Sequence, residues 1–277
     1  MMKKFNVGIQ LYGVRNALAE DFEGTLKKLK EMGYDYVEFA GYYGKTSEEL
    51  KEILAKYDLK CVSVHQGLDF YKDDVQAGID YLKGFGVKYS IIPWFQELAN
   101  TDKWPESVAL MKKIGKALKE NGMKLGYHNH DFEFKKKDGK YLHDYIFDDV
   151  GLDLIFPELD TCWVHYAGID PVTKIHEFKG LMPVIHLKDF DCKQLGGGPA
   201  YDLIDKDGNP MNVPSQADNE FKLLPLGEGR QDMKKILEAC EECGVETLIV
   251  EQDKPSNGLS EMECAKISRD YLRKLGL

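Results

Sequence analysis

Short β-branched and aromatic runs alternate along this chain with charged runs of helical periodicity. In the charged runs, such as residues 22–33, 47–58 and 105–122, apolar residues recur at spacings of three and four, which predicts amphipathic helices. Several of them end on Gly or Asn-Gly, a common helix stop before a buried strand. The apolar runs between them predict strands at residues 6–11, 34–40, 60–66, 89–94, 124–130, 152–160, 183–190 and 246–253.

This alternation predicts an α/β fold, a (β/α)8 TIM barrel. Nearly every predicted strand precedes a helix and no second block of different composition follows, so we expect residues 1–277 to form one barrel domain. A doubly wound open sheet is the alternative, but GIQLYGVR at the first strand lacks the G-x-G-x-x-G of dinucleotide-binding folds. The rhythm is broken by a hairpin turning at Asp138-Gly139 and by a long loop at residues 191–230. In a barrel that loop would cover the C-terminal face as a candidate lid.

Composition and charge narrow the range of partners. No apolar run approaches the roughly 20 residues of a membrane span, and the N-terminus lacks a signal-peptide stretch, so we expect a soluble, cytoplasmic protein without a membrane partner. The net charge of −10 disfavours nucleic acid, because phosphate binding needs a basic surface. Cys240 and Cys243 have C-x-x-C spacing but lie in a helical run, which favours reduced helix cysteines over a redox or zinc pair.

Side chains on a barrel strand alternate between the lumen and the surrounding helices, so apolar positions identify the helix-facing set. Leu125 and Tyr127, for example, take that side of the fifth predicted strand, and His128 takes the other. The polar residues assigned to the lumen in this way are Gln10, Glu38, His65, His128, His130, His186, Lys188, Glu251 and Asp253. They lie near the C-terminal strand ends, where barrel enzymes build active sites. Because unpaired polar groups are costly to bury, this set predicts a functional site.

Imidazoles and carboxylates that converge on a lumen suit a divalent metal ion, whose charge offsets the repulsion among the acids. A mixed nitrogen and oxygen donor set is compatible with Mn, Co, Zn or Mg and does not choose among them. Asp160 ends the sixth predicted strand, His186 lies in the seventh and Glu251 in the eighth. We therefore predict that these three residues bind a metal.

Several segments spread along the chain carry a family resemblance: GIQLYGVR, YDYVEFAG, YHNHDFEF, ELDTCWVHYAGIDP, IHLKDF, LGEG and IVEQD. In this order they resemble the sugar phosphate isomerase/epimerase superfamily, the barrel group of xylose isomerase, ketose 3-epimerases, inosose dehydratase and endonuclease IV. The resemblance implies a xylose isomerase-like barrel. It does not specify one activity.

The resemblance also implies a ligand set. Ketose 3-epimerase-like members bind their metal with two glutamates, one aspartate and one histidine, and three of these match Asp160, His186 and Glu251. The fourth, a glutamate on strand five, is matched here by His128, whereas the nearest glutamate is Glu133. Either His128 replaces that ligand or Glu133 reaches back from the hairpin. We expect Glu133 in the site, with His128 and His130 beside it.

The chemistry implied by the resemblance takes place next to a carbonyl, where a metal chelates two oxygens of a sugar or polyol derivative. Glu133 and Glu251 are then the carboxylate candidates for the base, and His130 or Lys188 could donate or relay the proton. We expect a metal-dependent isomerase or epimerase acting on a sugar or keto-sugar. The alternative is a lyase or dehydratase that acts on a keto-sugar, keto-glycoside or inosose with the same metal site.

Contacts to a small-molecule carbohydrate are predicted for Gln10, Glu38, His65, Trp94 and Trp163. The tryptophans follow strand ends, where an aromatic ring can form an apolar wall against a sugar. Packing among loop aromatics is the alternative for Trp94. The resemblance further implies a homo-oligomer or a partner subunit, and a non-catalytic subunit of a complex is the remaining alternative.

Overall fold

The computed structural model describes residues 5–196 and 219–277. In these residues eight parallel strands form a nearly closed barrel, adjacent in the order six, five, four, three, two, one, eight, seven. The strands are Asn6–Gln10, Tyr36–Ala40, Lys60–His65, Tyr89–Ile92, Lys124–His128, Ile155–Glu158, Val184–Leu187 and Thr247–Val250. A parallel bridge between Asp160 and His186 links the sixth strand to the seventh. The predicted (β/α)8 fold is confirmed.

Helices connect and surround the strands, and their termini carry ordinary stop and start signals. Thr46 and Ser260 each begin a helix with a reciprocal capping box. Gly33 and Gly244, in the left-handed conformation, end theirs as predicted. The described helices are Arg15–Glu20, Phe22–Met32, Ser47–Lys56, Val75–Gly84, Trp104–Glu120, Leu142–Val150, Thr161–Tyr166, Pro171–Glu177, Met233–Cys243 and Glu261–Lys274.

Two of the three apolar clusters among the described residues pack against the barrel strands. The main core lies between strands and helices and contains the strand residues predicted to face outward, Leu125 and Tyr127 among them. A separate small cluster of Val62, Val184 and Ile249 fills the lumen toward the N-terminal strand ends. Because side chains alternate along a strand, the lumen positions beyond this apolar cluster are those of the polar residues. The predicted alternation is confirmed for the seventh and eighth strands. On the third strand a register shift against Val37 and Glu38 interrupts it, so Val62 belongs to the apolar cluster although the next residue, Ser63, contacts Glu38.

Several strands end earlier than the sequence pattern predicts. The predicted strand 183–190 is two elements, the barrel strand Val184–Leu187 and a strand Asp189–Asp191 that pairs antiparallel with Lys222–Leu224. Leu187 is the last residue paired with the eighth strand, which itself ends at Val250. Without a barrel neighbour to bond, the chain beyond Leu187 pairs with the returning segment instead.

The structure describes the predicted hairpin in full but the predicted long loop only in part. Strands Lys136–Lys137 and Lys140–Tyr141 form the expected hairpin, and positive φ angles of 51° at Asp138 and 83° at Gly139 allow its two-residue turn. The predicted lid at residues 191–230 falls partly on residues 197–218, which lie outside the described residues.

The helical position predicted for Cys240 and Cys243 is confirmed. Cys240 and Cys243 are buried free thiols in the helix Met233–Cys243. No helix among the described residues is both long and apolar enough to span a membrane.

Candidate active site

A layer of polar side chains fills the lumen at the C-terminal ends of the strands. It brings together most of the residues predicted from the sequence and adds two more, Ser63 and Glu158. Its members are Gln10, Glu38, Ser63, His65, His128, Glu158, Asp160, His186, Lys188, Glu251 and Asp253. All are buried except His65, whose side chain is still only 8% exposed. The layer is therefore shielded from bulk water. Interactions between charges are stronger in such a buried site than in water.

His186 lies at the centre of this layer. Its Nδ1 is 2.9 Å from Glu251 Oε2, and its Nε2 is 2.7 Å from Glu38 Oε1. Burial disfavours charge on the ring, but Glu158, Glu38 and Glu251 together raise the pKa of His186 well above its usual value. The pKa of Glu38 is lowered, because the charges on His65 and His186 outweigh the effect of burial.

Glu158 is absent from the residues predicted from the sequence. Its Oε2 lies 2.9 Å from His65 Nε2 and 3.2 Å from His128 Nδ1. Burial and the charge on Glu38 raise the pKa of Glu158 to about 7. The signal was available, because Glu158 precedes Asp160 by two residues and so shares its lumen-facing position on the strand.

Two imidazoles and two carboxylates of this layer could hold a metal ion. His128, Asp160, His186 and Glu251 each offer one ligand atom, and these atoms lie within 4.8 Å of one another. His128 and His186 lie in the fifth and seventh strands, and Asp160 and Glu251 follow the ends of the sixth and eighth, so the donors come from four neighbouring strands. Mixed imidazole and carboxylate donors suit Zn, Mn or Co. A second group, in which His65 and Glu158 replace the two acids, shares both of these imidazoles.

Asp160 is held so that one oxygen remains for a cation. Its Oδ1 accepts hydrogen bonds from the backbone N–H groups of Cys162 and Trp163, at 2.8 and 3.2 Å, and so caps the helix Thr161–Tyr166. Its Oδ2 is buried and accepts no well-directed hydrogen bond from the described residues, although the Lys188 ammonium lies 3.0 Å away. Burial raises the pKa of Asp160 to about 6. A divalent cation fits this position.

Lys188 contacts three carboxylates in this layer. Its Nζ lies 2.8 Å from Glu251 Oε2, 3.0 Å from Asp160 Oδ2 and 3.0 Å from Asp253 Oδ1. Although burial opposes ionisation, Lys188 and His186 lower the pKa of Glu251 well below its usual range. The site therefore contains a carboxylate and an ammonium group side by side.

The structure does not bring Glu133 into this layer. Its Oε1 accepts a hydrogen bond from the Tyr127 hydroxyl at 2.9 Å, and its Oε2 accepts one from the His130 backbone N–H at 2.8 Å. Tyr127 belongs to the main core outside the barrel, and the short helical turn Phe132–Phe134 folds back against it. Glu133 belongs to neither candidate ligand group, whereas His128 belongs to both.

The other residues predicted to bind substrate or donate a proton lie in the lumen, beside the site or against the main core. Gln10 is in the lumen, where its Nε2 donates to Glu38 Oε1 over 2.7 Å. Trp163 is buried beside the site, with Lys188 Nζ 4.9 Å and the His130 ring 5.9 Å from its ring centroid. Burial, followed by the charge on Lys188, lowers the pKa of His130 to about 3, so its ring is neutral. Trp94 is half-buried and packs against the main core.

Comparisons with known proteins agree with this architecture. A family model described as xylose isomerase-like TIM barrel matches residues 26–275. A curated relative, the inosose dehydratase of Mesomycoplasma hyopneumoniae strain J, is 28% identical over 278 residues, covering 92% of this chain and 88% of the relative. The crystal structure of a sugar phosphate isomerase/epimerase from Parabacteroides distasonis is similar with a TM-score of 0.74 at 20% identity, covering 98% of both chains. The IOLI protein, crystallised with a bound zinc atom, is similar with a TM-score of 0.66 at 16% identity, covering 98% of this chain and 97% of that one.

Proposed function

Because the chain belongs to the xylose isomerase-like TIM barrel family, we propose that it is a metal-dependent lyase that removes water from a polyhydroxylated ketone, an inosose or keto-sugar. The observation that carries this proposal is the 2.8 Å contact between Glu251 Oε2 and Lys188 Nζ. It puts a base and a proton donor on the same side of the site.

His128, Asp160, His186 and Glu251 are the residues that would hold the metal. When bound, a divalent metal supplies Lewis-acid charge beside the substrate carbonyl, which makes the neighbouring C–H bond more acidic. Gln10 and His65 lie in the same layer, are oriented by Glu38 and can bind the substrate hydroxyl groups. Trp163 excludes water from this side of the site.

Elimination of water needs a base and an acid at adjacent carbons. Glu251 takes the proton from the carbon next to the carbonyl, and the electron pair of that bond forms the C=C bond. The C–O bond at the next carbon breaks, and its oxygen leaves as water with a proton from Lys188 Nζ. The proton on Glu251 then passes to Lys188 across their 2.8 Å contact, which restores both groups.

The sequence relative supports elimination over epimerisation, because it is named as an inosose dehydratase. The residues support it as well. Inversion of one carbon needs acid and base groups on opposite faces, whereas Glu251 and Lys188 are neighbours. The carboxylate that ketose 3-epimerase-like members carry on strand five is replaced by His128, and Glu133 contacts Tyr127 instead.

Epimerisation is the second candidate, and one observation favours it. His128 is the last residue of the fifth strand and Glu251 follows the eighth, with the sixth and seventh strands between them. A substrate between these two side chains would meet an imidazole on one side and a carboxylate on the other. The isomerase or epimerase activity expected from the sequence is therefore the second proposed function.

Mass-resolved product analysis in D2O separates the two activities. The metal-loaded protein is incubated with an inosose and with a panel of ketohexoses, and each product is compared with its substrate. Elimination gives a product lighter by one water, whereas epimerisation gives the epimeric sugar, whose mass differs from that of the substrate only by one incorporated deuterium. If a protein with bound metal converts no member of the panel in either way, both proposals are wrong for this substrate class.

A further inference from the structure

The carboxylate of Asp189 is bound by the backbone of a distant turn. It accepts hydrogen bonds from four N–H groups: its Oδ2 from Gly227 and Gly229 at 3.0 and 3.1 Å, and its Oδ1 from Gln231 and Phe190 at 3.1 and 2.9 Å. Asp189 is fully buried. A carboxylate with this many donors fixes both itself and the segment that supplies them.

The same turn, residues 227–231, also binds the backbone on both sides of Asp189. Gln231 Nε2 donates to the Lys188 carbonyl at 3.3 Å, and the Arg230 N–H donates to the Phe190 carbonyl at 2.9 Å. Gln231 Oε1 is in turn 2.7 Å from His165 Nδ1. The segment that carries Lys188 is therefore fixed at consecutive residues, although it lies beyond the last barrel pairing at Leu187.

There is no room for this turn to shift toward the strand. A Cβ atom added at Gly229 would overlap Asp189 Oδ1 and lie 2.6 Å from the Phe190 carbonyl oxygen. Glycine is therefore required at this close approach, because any side chain would separate the turn from the strand.

We propose that Asp189 is a positioning residue for Lys188. Adjacent residues on an extended segment point in opposite directions, so Lys188 enters the lumen while Asp189 holds the 227–231 turn behind it. Anchoring Asp189 sets the direction of the Lys188 side chain toward Glu251. This inference rests on the proposed function for the role of Lys188, but the position of the ammonium group can be tested without a substrate.

The test compares Asp189→Asn with Asp191→Asn in the full-length protein. Asp191 belongs to the same short strand, but its side chain is 54% exposed and reaches the turn through a 4.0 Å ion pair with Arg230 Nε, so the control makes the same chemical change without removing the buried carboxylate that binds the turn backbone. The rate of reductive methylation at Lys188 is measured by peptide mass spectrometry, and kcat and KM are measured for water elimination. We expect Asp189→Asn to speed labelling of Lys188 several-fold and to lower kcat by about tenfold or more with little change in KM. Asp191→Asn should change neither quantity.

Gly229→Ala is the second variant, since it displaces the turn without changing a polar group. We expect it to reproduce the faster labelling of Lys188, and it decides the question if Asp189→Asn does not fold. Wild-type labelling rates at Lys188 in a folded variant of either kind would overturn the inference. A wild-type protein that eliminates no water would contradict the proposed function alone, because the labelling rates still report on Asp189.

Discussion

Glu133 accepts a hydrogen bond from the Tyr127 hydroxyl at 2.9 Å, on the helix-facing side of the fifth barrel strand. His128, the next residue after Tyr127, faces the lumen and contacts Glu158. Glu133 therefore lies close in sequence to the candidate ligands but in a different environment. Burial raises its pKa to about 8, despite hydrogen bonds from Tyr127 and the His130 backbone. At neutral pH it is mainly a neutral carboxylic acid that anchors the loop after the strand.

The raised pKa of Glu133 predicts a contribution to stability that declines as the pH rises. The group ionises near pH 4.5 when unfolded and near pH 8 when folded, so the folded state holds the extra proton between these values. This contribution is complete below about pH 4.5 and is lost as the pH rises through about 8. Glutamine at position 133 cannot ionise. The free energy of unfolding of Glu133→Gln, relative to that of the wild type, should therefore increase by at least about 1 kcal/mol between pH 5 and pH 8. Urea unfolding at several pH values measures this, and a difference that does not vary with pH would contradict it.

The hydrogen bond between Tyr127 and Glu133 also leads to a prediction about the fourth metal ligand. Burial and the charges on His186 and His65 lower the pKa of His128 well below its usual value, so its ring is neutral and able to bind a metal. We expect His128→Asn to reduce the metal bound per chain at least about tenfold, in line with loss of one ligand. Glu133→Gln should retain the wild-type content. Elemental analysis of both variants, purified identically, tests this, and the opposite pattern would restore Glu133 as the ligand.

Alternation along the strands explains which parts of the site the sequence can predict. Gln10, Glu38 and His186 lie within barrel strands, where the position of a side chain follows from the count of residues. Glu133 lies beyond the strand, and its position depends on a turn that folds back onto Tyr127, which no periodicity specifies. Asp189 is likewise unpredictable from the pattern, because its partners come from residues 227–231 through tertiary contact.

Asp160 should be required for metal binding but not for its helix. Asn at this position can still accept the N–H groups of Cys162 and Trp163, but it loses the charge of Oδ2. We expect Asp160→Asn to fold normally and to lose most of the bound metal. Asp170→Asn is the matched control, because Asp170 also caps a short helix, through Thr173, but is exposed and belongs to neither candidate ligand group. Equal metal content in the two variants, measured by elemental analysis, would exclude Asp160 as a ligand.

Lys188→Met separates proton donation from metal binding. Removing the ammonium group leaves Asp160, Glu251 and Asp253 without their shared cation, so bound metal should remain at or above the wild-type content. Water elimination should fall by about 10²–10⁴-fold, the usual effect of losing a general acid. Deuterium exchange next to the carbonyl should persist, because Glu251 still removes that proton. Lys193→Met, at a side chain that is 59% exposed, should match the wild type in all three measurements. Unchanged elimination in Lys188→Met would remove Lys188 from the mechanism, whereas loss of metal together with activity would make it a structural cation of the ligand group.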